Sequence, residues 1–166
     1  MKTLYLVRHA KSSWKNPALG DRDRPLNARG KRDAPVMAEY VKQKIEKPDI
    51  FVSSPSRRTQ DTAVLFMNAF GRSMEQLILE ESFYHGYEND MESVISHLDP
   101  THHSAMLFVH NPGITDYVNQ LTGEQIFNIP TCGIAAVQLE TKNWAEINQC
   151  QAKLLFYYYP KGLDLQ

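Results

Sequence analysis

Two histidines and a group of arginines stand where short apolar runs give way to polar residues. Arg8-His9-Ala10-Lys11-Ser12-Ser13-Trp14 follows Leu4-Tyr5-Leu6-Val7, and Ser53-Ser54-Pro55-Ser56-Arg57-Arg58 follows Ile50-Phe51-Val52. His110-Asn111-Pro112-Gly113 follows Met106-Leu107-Phe108-Val109. Guanidinium groups present forked donors that match phosphate or carboxylate oxygens. A neutral imidazole is a nucleophile. If the three runs lie side by side, two imidazoles and two or three guanidiniums converge, and the chemistry is phosphate binding with an imidazole nucleophile. Taken singly, each residue has a plainer reading: a histidine at a strand end packs, and arginines in a first helical turn are solvated. The coincidence at three run ends favours function. A metal site is the competing reading of His9 and His110. It lacks a HExxH or Cys/His ligand spacing, and the arginines would repel a cation. No metal and no cofactor are therefore expected. His102-His103 read as a solvated loop and His97 as a surface residue of a helix, so none of the three is given a role.

The elements that must position these groups alternate. The three apolar runs are continuous, as in strands buried on both faces. Between them Met37, Val41 and Ile45, joined by Tyr40, keep helical spacing, as do Met91, Val94, Ile95 and Leu98. Ser54-Pro55 before Thr62–Met67 reads as an N-cap, a proline at the first helical position and a helix. Pro35 predicts either a helix beginning at Asp33 or one kinked at the proline. Ile134–Leu139 and Leu154–Tyr158 read as two further strands. Strands alternating with helices mean a three-layer α/β/α sandwich with a mostly parallel central sheet. In such sheets ligands bind outside the carboxyl ends of the strands, where the histidines and arginines fall. Two helix N-termini directed at the same place would add to the attraction for an anion.

The whole chain fits that picture. Its 166 residues, 42% hydrophobic and 22% charged, describe one ordinary globular domain over 1–166. No apolar run is long enough to span a membrane, and charges come too early for a signal peptide. A net charge of −1 argues against a nucleic-acid or membrane-surface partner. The charge is unevenly spread, however: residues 1–72 sum to +8 and residues 73–166 to −9. Either the halves neutralise each other across one fold or the first half builds a cationic site. Cys132 and Cys150 are too few for a disulfide framework and read as reduced, mostly buried thiols of a cytoplasmic protein.

The motifs, in order, resemble the histidine phosphatase superfamily, the phosphoglycerate mutase-like fold. They are Arg8-His9-Ala10, Ser54-Pro55-Ser56-Arg57-Arg58 with Thr62-Ala63, and Val109-His110-Asn111-Pro112-Gly113. The longer string through Trp14, with Asp23-Arg24-Pro25-Leu26 and Arg29-Gly30, is similar to the SixA-like phosphohistidine phosphatase branch. The resemblance implies a phosphate pocket of Arg8, Arg58, His9 and His110, with His9 the nucleophile. It selects Arg58 over Arg57, because the family's arginine stands three residues after the proline and four before the threonine. Ala10 departs from the glycine usual in the wider superfamily, which disfavours the mutase activity more than the phosphatase one. Mutase-type members carry an acidic residue after a later strand; Glu81, in Leu79-Glu80-Glu81, is the candidate general acid, and a surface carboxylate is the competing reading. Expelling an alkoxide gains about 10²–10⁴-fold from a positioned acid, whereas imidazole leaves from a phosphoramidate without one. A chain lacking a clear acid is expected to act on phosphohistidine, in the first place that of a protein, or on an aryl phosphate, rather than on a sugar phosphate. A short chain with little room for a cap over the site would admit a phosphorylated protein. The alternatives are a small-molecule phosphomonoesterase of the same fold and a non-catalytic binder of phosphorylated proteins.

Overall fold

The computed structural model describes residues 1–163. In chain order the elements are β1 (Lys2–Arg8), α1 (Ala28–Lys42), β2 (Ile50–Ser53), α2 (Arg57–Ala69), β3 (Leu77–Leu79), α3 (Glu88–Ser96), β4 (Ser104–Val109), α4 (Gly113–Thr122), β5 (Ile134–Leu139), β6 (Ala152–Tyr158) and α5 (Pro160–Leu163). The six strands form one sheet in the order β3-β2-β4-β1-β5-β6. The first four run parallel, while β5 is antiparallel to both β1 and β6. The expected three-layer α/β/α architecture with a mostly parallel sheet is what the chain adopts.

Continuous apolar strands arise because alternate side chains point to opposite faces and both faces are covered. Leu4 and Leu6 of β1, with Ala105 and Leu107 of β4, pack among Met91 and Ile95 of α3 and Ile114, Tyr117 and Val118 of α4. Tyr5 and Val7, with Met106 and Phe108, pack among Ala34, Met37 and Val41 of α1 and Ala63, Phe66 and Met67 of α2. Phe66 meets Phe108 edge-on at 5.5 Å. A large apolar side chain buried in this way contributes roughly 1.5–3 kcal/mol. A polar residue within these runs would therefore break a layer, and chemistry can begin only where the strands end.

Local details differ from the sequence expectations. Helix α1 starts at Ala28, not Asp33, and carries Pro35 in its interior. Asn27 caps it, its side chain accepting from the Gly30 amide at 2.9 Å, and burial of Ala34, Met37, Ala38 and Val41 offsets the proline's missing donor. Helix α2 is capped by Ser56 rather than Ser54, which frees the Ser54 side chain for another partner. Ile45 and Leu98 lie just beyond their helices. Strand β3 adds a sixth strand to the five read from the sequence. Of the two thiols, both free, Cys132 is buried but Cys150 only half-buried.

Pairing fixes the site. Arg8 pairs with Val109 and Ser53 with Phe108, so residues 9, 54 and 110 emerge side by side. Two glycines let neighbouring segments close on them. A Cβ at Gly30 would lie 2.2 Å from the Lys11 carbonyl oxygen, and one at Gly113 would lie 2.4 Å from that of Gly86. Only a residue without a side chain permits these approaches.

Candidate active site

The loop after β1 delivers Arg8 and His9. The Arg8 amide donates to the Gly133 carbonyl at 3.0 Å, and the Cys132 amide donates back to the carbonyls of both Arg8 and His9, at 3.1 and 3.0 Å. Cys132 holds φ at +62°, a left-handed conformation costly for a residue with a side chain. The strain is stored directly behind the histidine. The Ala10 amide donates to Thr62 Oγ1 at 2.9 Å, tying this loop to α2.

His9 is 9% exposed, and its Nδ1 lies 2.8 Å from the Ala10 carbonyl oxygen. A carbonyl can only accept, so Nδ1 carries the proton and Nε2 keeps its lone pair. Burial, reinforced by the charges of Arg58, Arg8 and Arg24 and opposed by the Ala10 hydrogen bond, pushes the His9 pKa down to about 4. The His110 ring stands 5.3 Å away, centroid to centroid. Its Nε2 is hydrogen-bonded to Ser54 Oγ at 2.8 Å, leaving Nδ1 for a ligand. Burial, then His9 and Arg58, push its pKa down to about 3. Both imidazoles are neutral near pH 7.

Two guanidiniums complete the group. Arg8 Nη1 donates to the Ile129 carbonyl at 2.8 Å. Arg58, 6% exposed, donates through Nη1 to the Asp21 carbonyl at 2.7 Å and through Nη2 to Asp21 Oδ2 at 3.1 Å. The Nε atoms of both arginines are buried without a partner among the described residues. Buried donors of this kind call for an acceptor, and an oxyanion would supply one. Arg57, by contrast, is turned outward with its side chain 57% exposed, 3.7 Å from Asp61.

Glu81 lies in the 3₁₀ turn Glu81–Phe83. Its carboxylate accepts two 2.6 Å bonds from Arg22, and its side chain is 69% exposed. Arg22 holds the carboxyl below its usual range. It is an anion paired at the rim. His97 and His103 are exposed and His102 is half-buried, away from the imidazole pair.

The structure adds residues that the motifs did not single out. Ser54 fixes the His110 ring. Asp21 meets Arg58, and its Oδ2 also accepts from the Tyr84 hydroxyl at 2.6 Å. Arg24 Nε and Nη2 lie 3.3 and 3.0 Å from Asp21 Oδ1. Arg24 also donates to Ser12 Oγ at 2.6 Å and covers the Trp14 ring at 3.6 Å. Tyr84 stands edge-on to His110 at 5.9 Å. Arg24 lay inside a motif already recognised, whereas Asp21 and Tyr84 carried no sequence signal because their partners are distant in the chain.

A mostly parallel sheet with two imidazoles and two buried guanidiniums at its carboxyl edge defines a class of phosphate-handling enzymes. Residues 4–112 match the family described as histidine phosphatase superfamily (branch 1), and the chain belongs to that superfamily. An uncharacterized chloroplastic protein of Arabidopsis thaliana is 30% identical over 153 residues, covering 87% of this chain and 70% of its own. Among solved structures, SixA of Agrobacterium tumefaciens superposes with a TM-score of 0.80 at 26% identity, over 96% of this chain and 98% of that one. The protein histidine phosphatase SixA complexed with tungstate superposes with a TM-score of 0.83 at 19% identity, over 97% and 99%. The chain is a phosphatase of the SixA-like branch.

Proposed function

We propose that the chain is a metal-independent phosphohydrolase that removes phosphate from phosphohistidine on a protein, through a covalent phosphohistidine on His9. The observation that carries this reading is the His9 ring: Nδ1 is held by the Ala10 carbonyl, so Nε2 offers a lone pair beside Arg8, Arg58 and His110. Nε2 attacks phosphorus in line; the P–N bond of the substrate breaks as the bond to Nε2 forms. A substrate phosphohistidine protonated on its other ring nitrogen leaves as neutral imidazole and takes no proton from the enzyme. Arg8, Arg58 and His110 donate to the equatorial oxygens, where charge builds, and preorganised donors of this kind are usually the largest catalytic contribution. Water then attacks phosphorus, and His9 leaves as the second leaving group.

Glu81 has no proton-donor role in this mechanism, because Arg22 keeps it ionised. A cation between His9 and His110 would face Arg8 and Arg58, so hydrolysis should survive EDTA. Free Cys132 and Cys150 fit a reducing compartment, and the reaction belongs to the cytoplasm in this reading.

The test is trapping of ³²P from labelled phosphohistidine and phosphomonoesters on wild type and His9→Ala. Label should pass to the wild-type chain, in acid-labile form, and not to a folded His9→Ala variant. Turnover near wild type in that variant, or activity lost to EDTA and restored by a metal, would overturn the mechanism.

A further inference from the structure

We propose that Asp21, anchored by the Tyr84 hydroxyl, is a positioning residue that holds Arg58 in the orientation needed at the transferring phosphoryl group. This rests on the phosphatase reading above and names the part of the site that sets one of its arginines. Both terminal nitrogens of Arg58 end on Asp21, one on its main-chain oxygen at 2.7 Å and one on its carboxylate at 3.1 Å. Among the described residues no second one hydrogen-bonds Arg58 Nη1 or Nη2. The two residues lie 37 positions apart in the chain, so only the tertiary structure aligns them.

Asp21 is itself fixed from two further sides. Tyr84 donates to Oδ2 from the segment that follows β3, and Arg24, whose guanidinium is stacked on Trp14, donates to Oδ1. The hydrogen bond from Tyr84, with those from Arg24 and Arg58, holds the Asp21 carboxyl far below the usual range. Its carboxylate is engaged as an acceptor by Tyr84, Arg24 and Arg58 together. An anion this close to a phosphate pocket repels the substrate, a cost without return unless it does something for the arginine. An arginine has a long side chain rich in rotamers, and holding it in advance leaves less to be lost at the transition state.

Two effects of Asp21 therefore oppose each other. Removing its charge relieves repulsion of the ground state while releasing Arg58. Asp21→Asn should lower kcat by roughly 10- to 100-fold, by analogy with the loss of partners that orient metal-ligating side chains, without raising KM. Tyr84→Phe keeps the ring beside His110 and removes one hydrogen bond, and should lower kcat by about 3- to 10-fold. Asp21→Glu should recover part of the loss.

The experiment is a double-mutant cycle on nitrophenyl phosphate hydrolysis, with binding of inorganic phosphate measured in parallel. If Asp21 acts through Arg58, Asp21→Asn costs little further in an Arg58→Ala background. A loss repeated in full in that background, or a wild-type kcat in Asp21→Asn, overturns the role of Asp21 while leaving the phosphatase reading intact. A wild-type chain that neither hydrolyses the ester nor binds phosphate overturns both. Should Asp21→Asn melt below the assay temperature, Tyr84→Phe carries the same cycle, with the same outcomes.

Discussion

Arg57 and Arg58 are adjacent in the sequence and opposite in circumstance. One is solvated beside Asp61; the other is buried with its Nε unpartnered. Arg58→Ala should lower kcat on the order of 10²–10³-fold by removing a donor to developing charge, and Arg57→Ala far less. Equal losses, measured as initial rates on nitrophenyl phosphate, would refute the division. At Glu81 the expectation concerns the leaving group. Phosphohistidine and nitrophenyl phosphate should be hydrolysed much faster than glycerol phosphate, and Glu81→Gln should change little for the good leaving groups. Efficient hydrolysis of alkyl phosphates that collapses in Glu81→Gln would make Glu81 the acid and the chain a small-molecule phosphatase. Arg8, His9, Arg58 and His110 were visible in the sequence because each stands within a few residues of an apolar run. Asp21 and Tyr84 were not, and Ser54 read only as a helix cap, because their significance depends on partners 37, 63 and 56 positions away.

Among the elements, the strands were legible wherever burial on both faces forces an unbroken apolar run. The exception is β3, three residues long at the sheet edge with Ile78 and Leu79 about half exposed, too short and too wet to leave a pattern. Helix starts were less legible, since Ser54 and Ser56 are equally good caps by type. Ser54 is claimed by His110, and that choice is tertiary. Helix α1 owes its position to Gly30, whose Cα lies against the Lys11 carbonyl. Gly30→Ala should push the segment bearing Lys11 outward at a cost of roughly 1–3 kcal/mol, seen as a lower melting temperature. Activity should fall with it, because His9 lies two residues upstream; a melting temperature equal to wild type would mean that the loop yields freely.

For the molecule as a whole, the buried imidazoles couple the site to stability. His9 and His110 have folded-state pKa values of about 4 and about 3, below the ordinary value near 6.5. Between those limits the unfolded chain binds protons that the folded chain refuses. Stability is therefore full above pH ~6.5 and declines as pH falls toward 4, by several kcal/mol in order of magnitude. Urea unfolding at a series of pH values should show this slope, and His110→Ala should flatten it. Inorganic phosphate, by favouring the folded state, should restore part of the loss. The cationic first half and acidic second half meet here as well. Arg22 stands against Glu81 of the second half, whereas Arg24 and Arg58 stand against Asp21 of their own half, so one pair neutralises charge across the halves while the Nε atoms of Arg8 and Arg58 stay available to a ligand.

Strand β1 lies between β4 and β5, so the segment made early in translation is flanked by segments made late. At roughly 5–20 residues per second, about 100 residues must be added before β4 exists, a wait on the order of 5–20 s. Through that interval Leu4–Val7 is an apolar stretch with both edges unpaired, the condition that invites misassociation. Ribosome-bound chains stalled before residue 104 should be cut readily by protease within Leu4–Val7 and should retain chaperones. Chains stalled beyond β5, with both neighbours of β1 outside the ribosome, should become resistant.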